Sequence, residues 1–237
     1  PEPEATDTGR YAPCRVACPA GLSIDDFLYL IAQNKYKEAL ELVQISYPFS
    51  GILGRVCTHP CEKICERGQV DESVSIGAAH RFLADHELLS GRIKSTPVDI
   101  SREEKIGIVG SGPAGLACAY DLVRRGFPVT VFEAAPKTGG MMRYGIPEYR
   151  LPRDILDNEI SSVRELGVEI KTDSPVKSVD ELFGQGYKAI FIAAGCWTSL
   201  KLNVPGEDAQ GVIPAVSFLK KANSGEKVEL GDRVVVV

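Results

Sequence analysis

The sequence predicts an α+β protein in two parts: a small all-helical segment first, then a larger Rossmann-like α/β domain built on a parallel sheet. Three observations carry this expectation. Residues 105–133 (KIGIVGSGPAGLACAYDLVRRGFPVTVFE) read as apolar strand, glycine-rich turn, helical pattern and second apolar strand. Before them, apolar residues recur at helical spacing among five of the seven cysteines. After them, helical patterns and short apolar runs keep alternating, as the βα units of a parallel sheet require.

In chain order, residues 1–13 are polar with three prolines and read as an extended lead-in. Ser23, with Asp26 three residues on, reads as the acidic cap of a helix carrying Ile24, Phe27, Leu28 and Ile31 on one face. A second helix is expected from Tyr36 to Val43, and a third through Val74, Ile76, Ala79, Phe82 and Leu83, ending before Gly91. The expected domains are therefore a helical one over 1–97, a dinucleotide-binding one over 98–231 entered through a polar connector, and the first strand of a further domain over 232–237. Within the second, a helix is expected over 155–166, a strand over 168–170, a short helix over 180–183, a buried strand over 189–194 and a helix over 215–221. The closing run Val234 to Val237 reads as a parallel-sheet strand.

Composition narrows the function classes. Apolar residues make up 44% and charged residues 25%, an ordinary globular balance. The net charge of −5 argues against a non-specific nucleic-acid surface. No run approaches the roughly 18 apolar residues of a membrane span, and the start has no signal-peptide pattern. A cytoplasmic protein without nucleic-acid or membrane partners is expected. In a reducing compartment, clustered cysteines more often bind metal than form disulfides.

The turn Gly110-Ser111-Gly112-Pro113-Ala114-Gly115 has the G-x-G-x-x-G spacing between a strand and a helix. Gly110 permits the tight turn, Gly112 lets backbone approach a pyrophosphate, and Gly115 lets the helix pack on the strand. Free N–H groups at the helix start, with the helix dipole behind them, suit phosphate. Glu133, ending the second strand, is placed to accept hydrogen bonds from an adenosine ribose.

Cys14-Arg-Val-Ala-Cys18-Pro19 is a C-x3-C-P unit like the tail of the bacterial ferredoxin pattern, and Cys57, Cys61 and Cys65 follow at x3 spacings. Together they offer five thiolates to a cluster that needs four. Zinc competes, although zinc sites more often use C-x2-C or C-x4-C pairs. A disulfide framework is the remaining alternative. His59 reads as a turn residue, His80 and His86 as structural helix residues, and Cys118 as a small core residue. Cys196 follows Gly195 at a strand end without the C-x-x-C partner of a redox dithiol.

These residues together resemble the small (beta) subunit of glutamate synthase and its relatives. Those include the N-terminal half of dihydropyrimidine dehydrogenase and the flavin subunits of electron-bifurcating transhydrogenases. The most specific stretches are Gly54-Arg-Val-Cys57, Pro60-Cys61-Glu62, Val74-Ser-Ile76-Gly77, the Gly110–Gly115 turn and Gly145-Ile-Pro-Glu-Tyr-Arg-Leu-Pro152. The resemblance implies that the dinucleotide is FAD. It places Gly140 and Met141 along the path from pyrophosphate to flavin, Arg150 near the isoalloxazine, and Ala194 and Gly195 closing over the cofactor. It assigns Cys14, Cys18, Cys61 and Cys65 to one 4Fe–4S cluster, with Cys57 as an alternative ligand. Typical members carry a further C-x-x-C upstream and build two clusters, whereas nothing ahead of Cys14 supplies those thiolates here.

The implied function is electron transfer between NAD(P)H, FAD, the 4Fe–4S cluster and a partner subunit or domain. Such a relay needs no acid–base residue, so ligands and cofactor contacts carry it. The sequence is expected to be an N-terminal fragment. Its valine run would begin the NAD(P)H domain that family members insert into the FAD domain, and the 237 residues alone are expected to oxidise NAD(P)H poorly. The alternatives are a zinc-stabilised docking module fused to a nucleotide-binding domain and a plain NAD-dependent dehydrogenase.

Overall fold

The computed structural model describes residues 11–91 and 95–237, so most of the lead-in expected over 1–13 lies outside the described residues. The chain divides into two compact units: residues 1–97 with 157–166, and residues 98–156 with 167–237.

The first unit is helical. It comprises α1 (Pro13–Ala17), α2 (Ile24–Ala32), α3 (Tyr36–Ser46), α4 (Ser50–Val56), α5 (Pro60–Lys63), a 3-10 turn (Glu66–Gln69) and α6 (Ile76–Leu89). Its core takes Leu22, Ile24 and Phe27 from α2 and its approach, and Ala39, Leu40 and Val43 from α3. Ile76 and Leu83 of α6 and Cys61 of α5 complete it, with Cys14 and Cys18 packed against it. The periodicities expected for α2, α3 and α6 thus point at one centre. Ser23 stands at the start of α2 but makes no side-chain cap bond; Asp25 and Asp26 in the first turn suit the helix dipole instead. The sequence reading had no separate α4, because two glycines in seven residues weaken helix propensity. Tertiary contacts hold it: α4 packs on α6, and the Arg55 guanidinium pairs with Asp85 of α6 and donates to the Gly51 carbonyl.

The second unit contains β1 (Ile106–Val109), α7 (Pro113–Arg124), β2 (Val129–Phe132), α8 (Met141–Tyr144), the start of α9 (Arg153–Glu165), β3 (Glu169–Lys171), α10 (Val179–Gly184), β4 (Ala189–Ile192) and α11 (Ala215–Asn223). The sheet is parallel throughout, in the order β3-β2-β1-β4. Ile106 stands beside Val129 on one side and Ala189 on the other. After β1 the chain therefore winds outward through β2 and β3, then returns to place β4 on the far side of β1. A crevice opens where the winding reverses, beyond the carboxyl ends of β1 and β4.

Two apolar runs differ from expectation. The run over 189–194 forms β4, but as an edge strand in which Phe191 and Ile192 stay 42% and 64% exposed. The valine run pairs with no strand among the described residues, and Val235 to Val237 are exposed. β-propensity becomes a strand only where another strand meets its N–H and C=O groups. No helix of the described residues is long and apolar enough to cross a membrane.

Candidate functional site

At the crevice of the second unit lies a cavity of about 590 Å³, within the range of cofactor pockets. All four strands contribute to it through their carboxyl ends. Val109 ends β1 and Gly110 to Ala114 follow it, Phe132 ends β2 and Glu133 to Ala135 follow it, Ser174 to Val176 come after β3, and Ala193 to Gly195 follow β4. Gly140, Met141, Trp197 and Lys220 complete the lining.

The glycines act there through backbone approach. Gly110 has φ +104°, and a Cβ on it would run into the backbone of Ala193 at the end of β4. Gly140 has φ +51°, and a Cβ on it would lie 2.7 Å from Gly112 Cα. The Gly139-Gly140 segment is thereby seated on the glycine turn, and the Gly139 N–H donates to the Ser111 carbonyl and hydroxyl, each at 3.1 Å. Gly112 stands at the start of α7 and no side chain caps that helix, so its first N–H groups face the cavity end uncapped. A turn opened by glycines, an uncapped helix start and an apolar cavity fit a dinucleotide.

Glu133 is buried, and its carboxylate serves the protein itself. One oxygen accepts from the N–H and the hydroxyl of Ser111, and the other accepts from the Ala135 N–H at 2.8 Å. A carboxylate has about four acceptor positions, so little of the ribose-binding capacity expected of Glu133 stays open while these three bonds stand. The sequence reading missed Ser111, whose hydroxyl ties the glycine turn to β2. It also missed Trp197, which its indole bond to the Ala194 carbonyl holds beside the end of β4, and Lys220, which comes to the cavity on α11 as that helix packs on α8. Arg150 is exposed and is not among the lining residues.

The second candidate site belongs to the first unit. α1 packs on α5, which brings Cys14 and Cys18 to the side of Cys61. Cys14 is influenced electrostatically by Cys65, and Cys61 by Cys18 and Cys57. The five cysteines are free thiols. Burial raises the thiol pKa of Cys14 and pushes Cys61 up to about 11, with the neighbouring thiols adding to the latter. Backbone N–H groups of Val74, Arg67 and Gly68 lower that of Cys65 and favour its thiolate. The His59 N–H points at Cys57 Sγ, 3.4 Å away. Among the described residues, no three Cys, His, Asp or Glu groups converge as they do around a single ion. A 4Fe–4S cluster would take one thiolate on each of its four irons, which would spread its ligands, and N–H groups directed at sulfur would suit it.

The histidines hold this region together. His59 occupies the left-handed region at φ +50°, its ring lies against Gly77, and its Nδ1 is 3.8 Å from Glu62 Oε2. Glu62 in turn accepts the Gly77 N–H at 2.7 Å, joining α5 to the start of α6. His80 is buried between Phe27 and Tyr47, and burial pushes its pKa down to about 4, so the ring is neutral.

A parallel sheet with an uncapped, glycine-turned helix at its switch point defines a dinucleotide-binding domain, here joined to a cysteine-rich helical one. Residues 104–237 match the family described as pyridine nucleotide-disulphide oxidoreductase, and the chain belongs to that family. Residues 8–92 match the domain described as dihydropyrimidine dehydrogenase domain II, 4Fe-4S cluster. The helical domain is thus of the 4Fe–4S type, which displaces the zinc alternative. The chain is 40% identical to the NADP(+)-dependent formate dehydrogenase subunit beta of Moorella thermoacetica, over 95% of this chain and 36% of the relative. It is 38% identical to the NADPH-Fe(3+) oxidoreductase subunit beta of Geobacter sulfurreducens, over 95% and 35%. It is 33% identical to the glutamate synthase [NADPH] small chain of Mycobacterium tuberculosis, over 94% and 45%. The chain therefore spans between a third and a half of these relatives. Among solved structures, Mycobacterium tuberculosis FprA in complex with NADPH aligns with 52% of this chain and 29% of its own, at 27% identity and a TM-score of 0.48. The resemblance to the glutamate synthase small subunit and its relatives is borne out, and with it the pairing of a 4Fe–4S domain with a pyridine nucleotide oxidoreductase domain.

Proposed function

We propose that the full-length protein is a cytoplasmic iron–sulfur flavoenzyme that passes electrons between NAD(P)H, FAD and a 4Fe–4S cluster, to or from a partner subunit or domain. The observation that carries this reading is the pairing, in one chain, of cysteines gathered on one helical core with a dinucleotide cavity at the sheet's switch point. The glycine turn, Gly110 to Gly115 with Pro113 and Ala114 opening α7, binds the diphosphate through backbone N–H groups. Gly140 and Met141 form the wall beside it, and Ala194 and Gly195 bound the cavity at the end of β4. Glu133 holds the turn through Ser111 and offers its remaining acceptor position to the ribose. Cys14, Cys18, Cys61 and Cys65 ligate the cluster, with Cys57 able to replace one of them. Flavin and cluster together convert two-electron hydride chemistry to one-electron transfer. The chain binds and orients both groups, and none of its residues is assigned a proton transfer in that relay.

The test is an anaerobic absorption spectrum of the purified protein, with iron, acid-labile sulfide and flavin assayed on the same sample. About four irons per chain with matching sulfide and FAD is the expected result. About eight irons would show that Cys57 has recruited further ligands, and a colourless protein would sink the electron-transfer reading.

A further inference from the structure

Glu133 is the one acidic and Lys220 the one basic side chain among the described residues lining the cavity. Lys220 lies on α11, near its end, and its ammonium sits 5.3 Å from the centre of the Trp197 ring. Trp197 is fixed in turn: its indole N–H donates to the Ala194 carbonyl at 2.9 Å, and its ring meets Tyr144 of α8 at 5.7 Å. Asn223 anchors α11 on α8, donating to the Tyr144 carbonyl at 2.9 Å and accepting from Arg153 at 2.9 Å. A flexible lysine is thereby held in the cavity lining by a built support. A cation on an aromatic face is attracted by the ring's quadrupole.

The charge balance says what this cation would meet. The glycine turn is neutral backbone, and a helix N-terminus supplies only about half a positive charge. A dinucleotide diphosphate carries two negative charges. Glu133 stands at the end of β2, whereas the loop after β4 touches Gly110 of the turn, with Ala193 C only 2.9 Å from the position of a Gly110 Cβ. Trp197, on which Lys220 rests, is bonded to Ala194 in that same loop after β4, beside the turn.

We propose that Lys220, braced on Trp197, is a binding residue for the FAD diphosphate. The assignment rests on the flavin reading given above. In the full-length protein, apo-protein is titrated with FAD at low and high salt for the parent, Lys220→Gln and Lys220→Arg. Lys220→Gln is expected to weaken FAD binding about tenfold at low salt, with the gap closing as salt screens the pair. Lys220→Arg should stay within about threefold of the parent, since it keeps the charge. Unchanged affinity in Lys220→Gln, or a loss that is the same at every salt concentration, would overturn the assignment and leave Lys220 a packing residue on Trp197. A parent protein that binds no FAD would instead defeat the flavin reading itself, and the assignment with it.

Discussion

At the scale of single residues, the two glycines that meet across the cavity wall separate folding from binding. Gly140 combines φ +51° with a Cβ position 2.7 Å from Gly112 Cα, so Gly140→Ala brings both backbone strain and collision. It is expected to cost about 1–3 kcal/mol of stability as well as FAD affinity. Gly112 has an ordinary φ of −73°, and the nearest atom to a Cβ there is 4.0 Å away. Gly112→Ala should therefore leave the melting temperature within a few degrees while lowering FAD affinity at least tenfold, because its methyl takes the diphosphate's place. Paired melting and FAD titrations check both, and a Gly112→Ala protein binding FAD normally would place the diphosphate elsewhere. The glycine turn was legible in the sequence because its spacing is dictated by backbone approach. The Ser111–Glu133 bond was not, since no spacing rule says which donor a buried carboxylate will find.

At the scale of elements, α9 is the helix that the periodicity placed but did not assign. Its residues from Asp157 on belong to the first unit, where the Glu159 carboxylate accepts the N–H groups of Gly51 and Ile52 at the start of α4. The residue as a whole is half-buried, but its carboxylate is enclosed, and burial pushes its pKa up to about 8 against the opposing pull of those N–H groups and Arg55. Between the ordinary value of 4.5 and about 8, the folded protein holds a proton that the unfolded chain has released. Stability from this group is therefore full at acid pH and falls as pH rises through that window, by at most about 1.4 kcal/mol per pH unit. Glu159→Gln should flatten the slope between pH 5 and 8 in melting temperature measured across pH. A slope unchanged by the substitution would show that the carboxylate is ionised throughout. Without α9, α4 would lack this cap, and two glycines in seven residues leave it little propensity of its own.

At the scale of the whole molecule, the two units hold different candidate sites and differ in what holds them. The first is built of short helices, and Cys61, Cys14 and Cys18 form part of its core or pack against it. The second has its own sheet and cavity. Removing iron with a chelator is expected to make residues 13–91 readily cleaved by protease. The FAD absorbance and the protease resistance of the second unit should survive. Simultaneous loss of both would show that the cluster stabilises the entire chain.

Local pattern was enough for the strand–turn–helix–strand at 105–133, the helical character of the first domain, the cysteine spacing and the family these announce. All of these are set by neighbours within a turn or two, or by backbone geometry that admits only glycine. Tertiary structure decided the rest. It left Phe191 and Ile192 of β4 exposed, left the valine run unpaired, put Arg150 in solvent, gave the second half of α9 to the first unit, and brought Trp197 and Lys220 to the cavity. Each of these depends on which distant element covers a surface or meets a charge, and residues far apart in sequence leave no periodicity by which to read that.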